Sequence, residues 1–273
     1  MQETKNEIKA VISDLDGTLL NPQGKITKST RNVLNQLNCD GVEVIFASGR
    51  HPKDISSLIT GLDFVPTIIG CNGALEVCRV QGKYKKNIVF NSSIYKQLIQ
   101  CAASLNLHIS VFDSAGWNVT EVNHMVTSYS RQFRFPYQVV AGNELLDLSA
   151  NKILVWSESN IDSIEQTLVK LFSQSCEISR SSVNSLEISP LNVTKANTIA
   201  ECLADQGINF EREAIAFGDG MNDEAMLEQA AIGVVMKNAM PELSNRLTKP
   251  IYTNSNADDG VADYLIGYFG LAL

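Results

Sequence analysis

Asp14 and Asp16 stand two residues apart in Asp14-Leu15-Asp16-Gly17-Thr18, directly after the apolar, β-branched run Ile8 to Ser13. Such a run reads as a buried parallel strand, so both carboxylates leave its C-terminal tip through a glycine turn. Carboxylates placed there can attack an electrophile, exchange a proton or hold a hard cation. Ser48-Gly49-Arg50 ends the apolar run Val42 to Ala47, Lys195 opens a later helical segment, and Gly218-Asp219-Gly220-Met221-Asn222-Asp223 follows the stretch Ala214 to Phe217. A hydroxyl and an ammonium add the means to hold an oxyanion. Each feature alone has an ordinary explanation: acids with glycine end many strands, and a lone Lys on a helix is usually solvated.

The elements that must position these groups follow from periodicity. After the first strand comes a turn at Asn21-Pro22-Gln23-Gly24, then a helix capped by Thr27 that runs to about Cys39 with Val33, Leu34 and Leu37 on one face. The strand Val42 to Ala47, a helix from Pro52 to Ile59 and a strand from Thr67 to Gly70 complete a β-α-β-α-β series, which implies a parallel sheet. The pattern resumes with a helix from Lys195 to Gln206, the strand Ala214 to Phe217, a helix from Asp223 to Ala230, the strand Ile232 to Val235, a helix starting near Pro241 and a last helix from Gly260 to Tyr268. All four chemical features then sit at strand ends or at the start of a helix on the ligand-binding edge of an open α/β sheet.

Between them the texture changes. Glu76 to Phe90 reads as a hairpin turning at Gln81-Gly82, and the stretch to about Glu187 alternates helices and strands without the strongly apolar signature of parallel strands. The expected fold class is therefore α/β, a Rossmann-like doubly wound parallel sheet split by an inserted α+β domain. The expected division is residues 1–82 and 186–273 for the core and 83–185 for the insertion.

The 273 residues carry 22 Lys and Arg against 30 Asp and Glu, a formal charge of -8, and no basic run. That balance argues against nucleic acid or an anionic membrane as partner, so an anionic ligand must be held by a local site. Met1 to Lys9 is polar and mixed in charge, and no apolar run reaches the ~18 residues of a membrane span, so a cytoplasmic location is expected. Six cysteines without a C-x-x-C pair read as reduced, structural thiols.

Together and in this order the four features resemble the motifs of the haloacid dehalogenase-like superfamily, and the Cof-type branch of sugar and pyridoxal phosphate phosphatases in particular. The resemblance rests on SDLDGTLL (Ser13 to Leu20), ASGR (Ala47 to Arg50), CNGA (Cys71 to Ala74), SPLNVTKA (Ser189 to Ala196) and IAFGDGMNDEAML (Ile215 to Leu227), with the insertion between the second and third motifs. It departs from the common pattern at Ala196 and Lys237, where the family usually has Gly, and in a slightly longer TNSNADDGVA stretch; no catalytic group is lost.

The resemblance implies a magnesium-dependent phosphoric monoester hydrolase. Asp14 would be the nucleophile that forms an aspartyl-phosphate, and Asp16 the acid/base that protonates the leaving oxygen and then activates water. The Asp14 carboxylate, the Asp16 backbone carbonyl and Asp219 would ligate Mg2+, with Asp223 orienting a bound water. Ser48, the Gly49 and Leu15 amides, Lys195 and Asn222 would hold the phosphoryl oxygens. The insertion would act as a cap that excludes water and supplies the leaving-group pocket.

Some residues stay two-sided. Arg50 and His51 either touch substrate or, for Arg50, pair with a neighbouring acid; Asn72-Gly73 either bounds the substrate space or only turns the chain into the hairpin. His108 and His124 lie away from any metal spacing and read as packing or surface residues. Phe112, Trp117, Tyr129, Phe133, Tyr137 and Trp156 could line a sugar or pyridine pocket, but aromatic residues at these spacings are more often core. The expected partner is a small phosphorylated metabolite, and the expected state a monomer or weak homo-oligomer. A phosphotransferase or phosphomutase on the same nucleophile, a receiver-like phosphate store and a non-catalytic binding protein are the rival readings.

Overall fold

The computed structural model describes residues 7–77 and 82–272, without the side chain of Phe133. Gln81 of the expected hairpin turn lies outside the described residues. Strands are numbered in chain order: β1 Ala10–Ser13, β2 Glu43–Ala47, β3 Thr67–Gly70, β4 Leu75–Val77, β5 Tyr84–Asn87, β6 His108–Asp113 and β7 Gly116–Val119. They continue as β8 Tyr137–Val139, β9 Ala150–Trp156, β10 Cys176–Ser182, β11 Ser185–Pro190, β12 Ala214–Gly218, β13 Ile232–Met236 and β14 Ile251–Thr253.

One sheet has the order β14-β13-β12-β1-β2-β3-β4-β5. Its first six strands are parallel, as the β-α-β pattern demands. At the other edge the hairpin expected after β3 adds β4 and β5 antiparallel. A short hairpin following β3 can only fold back that way, because a parallel return needs a longer crossover.

Alternation along β1 explains the two wound faces. Val11, with Val44, Phe46, Ile215, Phe217, Val234 and Met236, packs under Val33, Leu34 and Leu37 of the helix Lys28–Cys39 and Leu265 of the helix Gly260–Phe269. Ala10 and Ile12, one residue out of phase, face Ile199 and Leu203 of the helix Lys195–Ala204, together with Leu227. Each fully buried Val, Leu, Ile, Phe or Met here contributes about 1.5–3 kcal/mol from removal of apolar surface from water. Thr27 caps the first helix as expected, accepting the Thr30 amide at 3.1 Å. The helix expected from Pro52 to Ile59 is only one turn, Pro52–Ile55.

The second sheet has the order β10-β11-β9-β6-β7-β8. The helices Ser92–Ser104 and Ile161–Phe172 cover one face of it, where Ile109, Val111, Ile153, Val155, Leu186 and Ile188 are buried. Strand membership moves both ends of the expected 83–185 insertion inward or outward by a few residues: Tyr84–Asn87 pairs with β4 of the core sheet, and Ser185–Pro190 pairs with β9 of the second sheet. The charged Tyr84-Lys85-Lys86-Asn87 suits an exposed edge strand, which is why it carries no buried-strand signal.

Candidate active site

Asp14 continues the ladder of β1, donating its amide to the Phe217 carbonyl at 3.0 Å, and its side chain is 8% exposed at the strand tip. The chain then turns through Gly17 at φ 78°. A methyl group on Gly17 would overlap the Asp219 carboxylate, so this turn can approach the acid only without a side chain. Thr18 donates its hydroxyl to Asp219 Oδ1 at 2.8 Å, tying the first and last motifs together.

Lys195 opens its helix with Thr194 as cap, and its ammonium is fully buried between two acids. Nζ lies 2.6 Å from Asp14 Oδ1 and 2.7 Å from Asp223 Oδ1. Burial alone would push the ammonium pKa down, but Asp14 and Asp223 outweigh it and hold the proton on. The other oxygen of Asp223 accepts the amides of Asp219 and Gly220 at 3.1 and 3.0 Å. Both Asp223 oxygens are therefore engaged in holding Lys195 and the Asp219 loop.

Carboxylate oxygens of Asp14, Asp219 and Asp223 lie within 4.8 Å of one another, and this is the only such cluster among the described residues. Burial pushes Asp14 up, against the pull of Lys195, and pushes Asp219 up to about 7, with Asp223 adding repulsion to both. Three acids face one ammonium, so the ionised site carries two excess negative charges. Hard oxygen donors with that excess are chemically suited to a divalent cation such as Mg2+. His108 and His124 lie elsewhere: His108 is buried 3.6 Å from Glu121, and His124 packs edge-on against Trp156.

Arg50 settles on the pairing role. Its Nε and Nη2 hold the two oxygens of Asp16, and Nη1 donates to Asp54 Oδ2 at 3.0 Å. Tyr129, on the helix His124–Phe133 of the second domain, donates to that same Asp54 oxygen at 2.9 Å. Ser48, at the tip of β2, is buried and accepts the Arg50 amide at 3.1 Å, which leaves its own proton for another acceptor. His51 is neutral and fixed in one tautomer. Its Nδ1 accepts the Lys53 amide at 3.1 Å, so Nε2 carries the proton and donates to the Asp113 carbonyl at 2.9 Å. Burial pushes this imidazole down to about 4.

A cavity of about 430 Å³ lies between the strand tips and the uncovered face of the second sheet. Asp14, Asp16, Ser48, Gly49, Asp219 and Asn222 form its floor. Its roof is alternate residues of the sheet, Ser110 and Phe112 on β6, Lys152, Leu154 and Trp156 on β9, Ser185 and Glu187 on β11, with Arg180, Ser181 and Ser182 on β10 where the register is irregular. Lys195 reaches the floor from beneath, through Asp14, and Leu15 is buried under the turn with its carbonyl accepting the Leu20 amide at 2.9 Å. Of the aromatic candidates, Phe112, Trp117, Tyr129 and Trp156 line the cavity, while Tyr137 packs on Trp117 away from it.

Sequence reasoning missed Lys152, Glu187 and Arg180. The available signal was a charged residue alternating with apolar ones, Lys152 before Ile153 and Val155 in Ala150–Trp156 and Glu187 between Leu186 and Ile188 in Ser185–Pro190. A strand whose two faces both meet protein should show no such charge, so its presence points to a polar interface on one face.

The comparisons agree with this geometry. The 26% identical HMP-PP phosphatase of Yersinia enterocolitica aligns over 253 residues, 92% of each chain. A solved haloacid dehalogenase-like hydrolase from Bacteroides thetaiotaomicron superposes with a TM-score of 0.83 at 26% identity, covering 96% of this chain and 100% of the other. A solved sugar phosphatase of haloacid dehalogenase subclass IIB gives a TM-score of 0.85 at 24% identity over 96% and 99% of the two chains, a likeness of fold. The sequence description of the haloacid dehalogenase-like hydrolases matches residues 11–265, which takes in every strand-tip group described above. With acids, hydroxyl and ammonium gathered on one floor and the match running through all of them, the chain belongs to the haloacid dehalogenase-like hydrolases.

Proposed function

We propose that this enzyme is a magnesium-dependent phosphatase acting on small phosphomonoesters through an aspartyl-phosphate on Asp14. The observation that carries the reading is the buried Asp14 carboxylate, held by Lys195 at 2.6 Å on the floor of the cavity between the two sheets. The Asp14 oxygen that Lys195 does not hold attacks phosphorus, and the bond from phosphorus to the leaving oxygen breaks. Asp16 supplies the proton to that oxygen. In the second step Asp16 takes a proton from water, which attacks phosphorus and breaks the bond to Asp14, releasing inorganic phosphate. Both Asp16 oxygens are engaged by Arg50, so the acid step requires one of those hydrogen bonds to be exchanged for the leaving oxygen.

The Asp14 carboxylate, the Asp16 backbone carbonyl and Asp219 would hold Mg2+, which when bound neutralises phosphoryl charge. Ser48, the amides of Gly49 and Leu15, Lys195 and Asn222 hold the remaining phosphoryl oxygens. Asp223 keeps Lys195 and the Asp219 loop in place.

The cavity mixes aromatic walls with serines, which suits a single-ring leaving group with hydroxyls. Relatives named HMP-PP phosphatase and sugar phosphatase support that size class, and sugar phosphates or pyridoxal phosphate are the proposed substrates. Five described cysteines are free thiols, which supports a cytoplasmic setting. No helix among the described residues is long and apolar enough to cross a membrane.

The test is phosphate release from a panel of phosphorylated metabolites with Mg2+ and with EDTA. Release that needs the metal and falls to background in Asp219→Asn supports the proposal. Transfer of phosphate to a second hydroxyl in place of water would make the enzyme a phosphotransferase.

A further inference from the structure

The roof of the cavity carries a buried charge pair for which the covalent chemistry has no use. Lys152 on β9 and Glu187 on β11 are 3% and 8% exposed. Lys152 Nζ donates to Glu187 Oε1 at 2.7 Å and also to the carbonyl of Gly49. The second oxygen of Glu187 accepts Asn72 Nδ2 at 2.5 Å. Asn72 in turn donates its amide to the Ser48 carbonyl at 3.1 Å and accepts Asn222 Nδ2 on its side-chain oxygen at 3.3 Å.

Both side chains belong to the second sheet, and their further hydrogen bonds cross to the core domain, ending on the Ser48-Gly49 turn and, through Asn72, on Asn222. The fit is close: a Cβ on Gly49 would lie 2.9 Å from a Glu187 oxygen and 3.1 Å from the Asn72 oxygen. Asn72 is held at φ 55°, a backbone state that Asn tolerates better than most residues. A buried ion pair is a weak device for stability, because apolar residues of similar volume usually serve as well. Its location is better explained by what it touches.

We infer that Lys152 and Glu187 are positioning residues that set the Ser48-Gly49 turn and Asn222 for the phosphoryl group, so that the phosphate site is complete only when the inserted domain is docked. This rests on the phosphatase reading above. It also gives Asn72 a function: the side chain transmits the position of Glu187 to Asn222.

The test compares Lys152→Met, Glu187→Gln and the double variant in full-length enzyme, with thermal unfolding and kcat measured on three phosphomonoesters of different leaving group. Each single variant leaves one partner of the buried pair behind and lowers Tm. The double variant removes both charges, and Tm returns toward wild type while kcat stays down about ten- to a hundredfold. The loss is the same for all three substrates, since the phosphoryl group is their common part.

Recovery of kcat together with Tm in the double variant would overturn the inference, because the pair would then be structural only. A loss confined to one leaving group would overturn it as well, by making Lys152 or Glu187 a direct substrate contact. Lys152→Arg keeps the positive charge beside Glu187 and carries the test if the double variant does not fold. Its planar guanidinium cannot take the place of Nζ between the Gly49 carbonyl and Glu187, so full kcat in folded Lys152→Arg would also overturn the inference. Wild-type enzyme that releases no phosphate from any substrate would overturn the phosphatase reading and this inference with it.

Discussion

Arg50 grips both carboxylate oxygens of Asp16, with Nε and Nη2 each 2.6 Å from its acceptor. This planar fork fixes the Asp16 side chain in a way that an ammonium cannot. Asp16 remains about half exposed to the cavity while Arg50 is buried, so the clamp holds an acid that faces substrate.

Arg50→Lys keeps the charge beside Asp54 but loses the fork. Phosphate release should fall by roughly 10- to 100-fold, part of the 10²–10⁴ that a positioned acid or base contributes. Steady-state kinetics beside circular dichroism checks this. An unchanged kcat in a folded variant would mean that Arg50 is not what orients Asp16.

Gly17→Ala tests the turn that brings the first motif against Asp219. The residue would have to accept φ 78° and its methyl would collide with the Asp219 carboxylate. A loss of about 1–3 kcal/mol in denaturant unfolding is expected, together with weaker divalent-cation binding. Wild-type stability in this variant would contradict the close approach of turn and acid.

His51 gives the docked domain a pH dependence. Its folded pKa, near 4, lies below the ordinary value of 6.5, so the unfolded chain takes up the proton first as pH falls. The stability contributed by neutral His51 is present above about pH 6.5 and is lost progressively down to about pH 4. Non-titrating His51→Gln is missing that loss, so the difference in unfolding free energy between wild type and variant should shrink from pH 7 to pH 4.5. A constant difference over that range would show that His51 does not titrate with unfolding.

The strand-tip groups were readable in the sequence because each is local: Asp14, Ser48 and Asp219 announce themselves by ending an apolar run beside glycine. Their partnerships were not. Lys195 lies 181 residues from Asp14, and nothing near Lys195 in the chain says that its ammonium is buried. Arg50 was equally ambiguous, since its choice of Asp16 over substrate depends on the side-chain path across the cavity floor. The hairpin from Glu76 to Phe90 was readable, but the place of Tyr84–Asn87 in the core sheet was not, because that strand is exposed and charged; the roof of the cavity was missed because the partners of Lys152 and Glu187 lie far away in the chain. Pairing with each other, with the Gly49 carbonyl and with Asn72 offsets the burial penalty of those charges, and partners that distant in the chain are not written in the local pattern.

Covalent phosphorylation of Asp14 is the claim on which the rest depends, and trapping it is the most direct measurement. Enzyme turning over a good phosphomonoester is quenched in acid, reduced with borohydride and digested, and the peptide containing residue 14 is examined by mass spectrometry. An acyl phosphate at Asp14 is reduced to homoserine, and that conversion at residue 14, absent without substrate and absent in Asp14→Asn, is the predicted result. Rapid phosphate release with an unmodified Asp14 peptide, or metal-dependent turnover retained in Asp14→Asn, would contradict the account.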